Sequence, residues 1–145
     1  LIISIPAARR VVPSESWLQS VRTIVAVFIT STMADTFQAN YKSASNIVKN
    51  INSILTTIKE NNNLSEMQKQ LSRVKQYFQQ AQEALKIMRN TASVMSYNNK
   101  IQAMGSVRDI EQSLATIKKE IARQEAKLNK SSLVGAVIAV RRVYA

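Results

Sequence analysis

The stretch Met67–Met88, MQKQLSRVKQYFQQAQEALKIM, decides the fold. Met67, Leu71, Val74, Phe78, Ala81, Leu85 and Met88 follow one another at alternating steps of four and three residues, and the spacing continues to Ala92 and Met95. Steps of this kind put all of those side chains on one stripe of an α-helix, whereas a half-buried strand would alternate every second residue. The opposite side carries Gln68, Lys69, Arg73, Gln76, Gln79, Gln80 and Glu83. An isolated helix of this kind is marginal in water, so the apolar stripe requires neighbours. Ser65, with Gln68 three residues on, reads as the capping box that opens the segment and predicts a helix over 65–95.

The same spacing recurs on both sides. Upstream, Phe37, Tyr41, Ala44, Val48, Ile51, Leu55 and Ile58 form a stripe that Ile47 and Ile54 widen. This predicts a helix over 36–59, capped by Asp35 or Thr36 and stopped by Asn61-Asn62-Asn63. Downstream, Val107, Ile110, Leu114, Ile117, Ile121 and Leu128 make a third stripe, in which Gln124 is a polar intruder. That helix reads as 100–128, and Ser106 with Asp109, just after Gly105, offers a second place for it to begin.

Three stripes in succession, joined by short connections, predict an all-α, antiparallel, up-down-up three-helix bundle over 35–130. Its expected core is Phe37, Tyr41, Val48, Ile51 and Leu55 from the first helix, and Leu71, Val74, Phe78, Leu85 and Met88 from the second. Ile110, Leu114, Ile117 and Ile121 complete it from the third. A homo-oligomeric coiled coil is the structural rival, because heptads serve both arrangements.

Composition narrows the class and the chemistry. With two Gly and two Pro in 145 residues, the chain lacks the turn residues that a β-sandwich or barrel needs at short intervals. It contains no Cys and no His, which excludes disulfides, thiolate nucleophiles, Cys/His zinc sites and imidazole acid–base catalysis. The carboxylates Glu60, Glu66, Glu83, Asp109, Glu111, Glu120 and Glu125 fall on polar faces beside Lys or Arg. Glu111 with Lys118, and Glu120 with Lys127, lie seven apart on one face and read as solvated charge. Tyr41, Tyr77, Tyr97 and Phe78 read as core aromatics. The expectation is a protein that is not an enzyme and uses no cofactor or metal.

A formal net charge of +11 favours acidic partners. Lys42, Lys49, Lys59, Lys69, Lys75, Lys86, Lys100 and Lys118 are nevertheless spread out, with no dense run. They read first as a solvated helix face. Other proteins are the expected partners, with an anionic membrane surface as a further candidate, and nucleic acid is not expected.

The two ends differ from the middle. Residues 1–34 hold Pro6, Arg9, Arg10, Pro13 and Arg22, then an apolar run from Ile24 to Ile29, and close on Met33-Ala34. A basic flank, a short apolar run and a small residue follow the order of a signal peptide. The competing reading makes Met33 the true initiator of a chain that opens at Leu1. Residues 131–145 place Leu133–Val140 ahead of Arg141-Arg142, an apolar and basic tail too short to cross a bilayer as a helix. It reads as a packing strand, a short interfacial anchor or the stub of something longer.

With these segments placed, three stretches resemble the N-terminal domain of Qb-type SNAREs of the vesicle-transport v-SNARE family. They are Phe37-Gln38-Ala39-Asn40-Tyr41, the Gln- and Glu-rich run Met67–Met88, and Val107–Arg123, VRDIEQSLATIKKEIAR. The resemblance takes in the three stripes and neither end. It implies an antiparallel three-helix bundle on the cytosolic face of Golgi and endosomal membranes, recruiting trafficking adaptors or other SNAREs. The SNARE helix that follows in that family is not matched by 131–145, so fusion activity is not implied. The functional expectation is a non-catalytic protein-interaction domain in intracellular vesicle transport. Two alternatives stand beside it. One is an exported, periplasmic helical subunit of a bacterial secretion or conjugation apparatus, if 1–34 is a signal peptide. The other is a basic bundle on nucleic acid or anionic membrane.

Overall fold

Between Pro13 and Gly105 the sequence has neither proline nor glycine, so little in it stops a helix once begun. The computed structural model describes residues 15–144, and over them the chain forms α1 (Glu15–Glu60), α2 (Leu64–Ser93) and α3 (Tyr97–Tyr144). It divides into two units, Leu1–Asp35 and Thr36–Ala145. Pro6, Arg9, Arg10 and Pro13 of the expected leader lie outside the described residues.

In the second unit the remainder of α1 packs with α2 and α3 around one core, which a single chain supplies. Two ion pairs fix direction and register. Lys75 bonds to Glu125, and Arg89 bonds to Glu111. Fourteen residues forward along α2 therefore correspond to fourteen residues back along α3, which makes the two helices antiparallel. Lys59, near the end of α1, reaches Glu120 of α3 at 3.3 Å. The three rods follow the up-down-up order.

Phe37, Ile51, Leu55, Leu71, Val74, Leu85, Met88, Ile110, Leu114, Ile117 and Ile121 are buried, while Tyr41, Val48 and Phe78 are half-buried against them. Ala44, Ile58, Met67, Ala81, Ala92, Val107 and Leu128 extend the core along the same stripes, and Ala84 and Ala103 add to it. Tyr97 departs from the expectation of a core aromatic. It is exposed, because it sits in the first turn of α3.

Several boundaries differ from those read in the sequence. α1 does not start at Thr36 but runs from Glu15, since nothing between Ser16 and Asp35 interrupts a helix. α2 begins at Leu64 with Asn63, not Ser65, as its cap. The Asn63 side-chain oxygen accepts from the backbone N–H of Ser65 at 3.1 Å and of Glu66 at 3.4 Å. Asn61 accepts from the backbone N–H of Asn63 at 2.9 Å, so the triplet ends one helix and primes the next. α2 stops at Ser93, two residues short of Met95. α3 begins at Tyr97 and passes through Gly105 without a break. It also passes through Ser131–Tyr144, which is neither a strand nor an irregular tail.

Candidate functional site

After Leu128 every described residue of α3 is exposed. The end of α1 leaves one side of 129–136 open, and register leaves the residues past Ala136 without α2 as well. The α2–α3 pairing that sets Lys75 against Glu125 places Leu64, the first residue of α2, opposite Ala136. α1 has already ended at Glu60, close to the level of Glu120. The final sixteen residues of the helix, 129–144, extend for roughly 24 Å at the usual rise per residue. The intrinsic preferences of Val134, Gly135, Val137, Ile138 and Val140 for a helix are weak. The segment continues a helix already nucleated in the bundle, so only the smaller cost of propagation applies.

On this segment Leu133, Val134, Val137, Ile138, Val140, Val143 and Tyr144 stand in solvent, from 48% exposed at Ile138 to 85% at Tyr144. Lys127, Lys130, Arg141 and Arg142 accompany them, and the chain has no Asp or Glu after Glu125. A run of large apolar side chains with only cations around it is the least ordinary surface of this unit.

In the first unit, the described helix also shows apolar residues to solvent. Leu18, Ile24, Val25, Val27, Phe28 and Ile29 are exposed, and Arg22 is the one charge between Glu15 and Asp35. Its hydroxyls turn back on its own backbone. Ser20 donates to the Ser16 carbonyl at 3.0 Å, Thr23 to Gln19 at 2.8 Å and Thr32 to Phe28 at 2.9 Å. Among the described residues no helix is long and apolar enough to cross a membrane.

The expected core residues lie away from the exposed end of α3, inside the bundle. In the groove between α2 and α3 two shallow hollows are each crossed by an ion pair. One is lined by Leu71, Lys75, Glu125 and Leu128, the other by Phe78, Leu85, Arg89, Glu111 and Leu114. Glu111, Glu120 and Glu125 are thus bonded across helices, not merely solvated on their own faces. Sequence spacing within one helix could not show this, because the pairing depends on the register between helices.

A polar knot occupies the seam between α1 and α3. Gln124 is 4% exposed, and its side-chain N–H donates to Glu120 Oε1 at 2.8 Å, while Gln124 Oε1 is buried without a partner. Glu120 also accepts from Lys59 and, at 3.0 Å, from Arg123. The Gln124 amide, followed by the cations Lys59 and Arg123, holds the Glu120 carboxyl below the ordinary glutamate range, against the opposing effect of its desolvation. Among the described residues no three His, Cys, Asp or Glu side chains gather as a metal site.

No protein-family model, curated protein or solved structure matches this chain. The site stands on its own geometry.

Proposed function

We propose that the protein is a non-catalytic interaction module, in which the three-helix bundle is a stiff base for an exposed helix end that engages another molecule. The observation that carries this reading is the segment Leu133–Tyr144, with seven large apolar side chains in solvent on a helix anchored by a well-packed core. Contiguous exposed apolar surface beyond a few hundred Å² marks binding sites in folded proteins, whereas scattered apolar residues do not. The absence of His and Cys from the sequence agrees with a role in binding and not in acid–base or thiol chemistry.

The narrower setting we propose is partner recruitment in intracellular vesicle transport. It is supported by the order of the three stripes within Phe37–Arg123 and their resemblance to the SNARE N-terminal domain. A photo-crosslinking residue at Val137 should form adducts in the native cell, and one at Gln79, on the outer face of α2, should not. No adduct from Val137 would refute the module reading. Location of the tagged full chain tests the setting separately, since endomembrane puncta are expected and a diffuse signal would count against traffic. N-terminal sequencing of the native protein tests export. A mature end at Asp35 would replace the endomembrane setting and leave the module reading intact.

A further inference from the structure

Around the axis of α3, at about 3.6 residues per turn, Leu133, Val134, Val137, Ile138, Val140 and Tyr144 fall within roughly 160° of arc. Lys127, Lys130 and Arg141 fall within that same arc. The opposite arc holds Ser131, Ser132, Gly135, Ala136 and Ala139, all small, and Arg142 and Val143 near the end of the helix. Up to Arg141 the segment is therefore two-sided, with large apolar and cationic side chains mixed on one side. All of these residues are exposed.

We infer that this side of α3 docks on an anionic lipid bilayer surface. The inference rests on the module reading and names its partner. Charge selects among the possible occupants. From Ala126 to the end of the sequence there are four Lys or Arg and no Asp or Glu. A second copy placed on this face would double that positive charge without neutralising it. Nucleic acid would answer the cations but leave Leu133, Val137 and Ile138 wet. An anionic bilayer satisfies both kinds of side chain. Apolar groups enter the boundary between headgroups and acyl chains, and the long stems of Lys and Arg lie along it with their charges among phosphates. The apolar run is too short to span, so the helix lies on the surface and does not cross it.

The chain contains no cysteine, so one dye can be placed at one site of it. An environment-sensitive dye on Ile138→Cys should shift to the blue with vesicles of phosphatidylcholine and phosphatidylserine, and not with phosphatidylcholine alone. The same dye on Gln79→Cys should not respond. Replacing Lys127, Lys130, Arg141 and Arg142 by Gln should weaken binding to the mixed vesicles at least about a hundredfold. Circular dichroism checks that each variant keeps its helicity.

Equal response to both vesicle types overturns the inference. So does an unchanged affinity in the fourfold variant, because the contact then lies elsewhere in the chain. If no vesicle binds, sedimentation of Val137→Asp against the parent separates the remaining cases. Loss of self-association in Val137→Asp identifies a second copy as the occupant and leaves the module reading standing. No vesicle binding, no effect of Val137→Asp and no crosslink from Val137 would remove both.

Discussion

Replacing Gln124 by Leu should make the bundle more stable, although it deletes a hydrogen bond. Gln124 sits between Ile121 and Leu128 on the core stripe of α3, and one of its two polar atoms is buried with nothing to bond. An orphaned polar atom costs about 1–3 kcal/mol, and the substitution removes it. Leu in its place gains apolar burial, worth about 1.5–3 kcal/mol for a whole side chain taken out of water. Against this stands the bond from the Gln124 amide to the Glu120 carboxylate, worth about 1.5–3 kcal/mol as a bond to a charged group. Glu120 would still keep Lys59 and Arg123 as partners. The balance is a gain of about 1–2 kcal/mol near neutral pH.

Acid should widen that gain. The carboxyl of Glu120 is depressed in the folded state, so its contribution is present above the unfolded-state value and is lost as pH falls through the folded one. Gln124 is the largest cause of the depression, so the Leu variant has less of this contribution to lose. Urea unfolding followed by circular dichroism, at neutral pH and below the ordinary glutamate range, measures both effects. A variant less stable than the parent at neutral pH would refute the reasoning about the orphaned oxygen. A gain that narrows in acid would refute the assignment of the Glu120 depression to Gln124.

Further substitutions test other parts of the structure. Leu114→Ala and Leu71→Ala should each cost about 2–5 kcal/mol in urea unfolding, and unchanged stability in both would mean the stripes are misplaced. Asn63→Ala removes the α2 cap and should cost about 1 kcal/mol. Gly105→Ala should stabilise by about 0.5–1 kcal/mol, because this glycine is inside α3 and a Cβ there meets nothing within 4 Å. Arg89→Glu should weaken the bundle by under about 1 kcal/mol, since the pair is half exposed, and adding Glu111→Arg should restore it. Failure of the double exchange to recover stability would contradict the α2–α3 register.

The bundle was legible because its evidence repeats. A four-three stripe sustained from Met67 to Met95 or from Phe37 to Ile58 has few other physical meanings, and the buried positions follow those stripes. Ends were less legible. Between Ser16 and Asp35, as between Leu133 and Tyr144, few charged residues set off a polar face, so an apolar stripe stands out less than in the bundle. Composition sets both ends apart from the middle, but it does not show that 15–35 and 131–144 are helical. The choice of Asn63 over Ser65 as cap turned on a single turn's geometry, which the capping-box pattern alone does not resolve. The cross-helix pairs of Glu111, Glu120 and Glu125 needed the register between rods, which no single stripe encodes. The exposed end of α3 was visible as composition only. That it is a helix left by α1 near Glu120, and by α2 past Ala136, came from where those helices stop.

The connections 61–63 and 94–96 are three residues each, and this bears on how the molecule assembles on the ribosome. Sequence neighbours are also spatial neighbours, so closing each hairpin demands little loop entropy, and local topologies of this kind fold fast. α1 and α2 can meet as soon as both have emerged. Their shared surface then waits, with Leu71 and Leu85 only half covered, until translation has delivered Ile110 to Leu128. Synthesis of α3 is the step that commits the chain, and a pause before it would hold the nascent protein in its stickiest form.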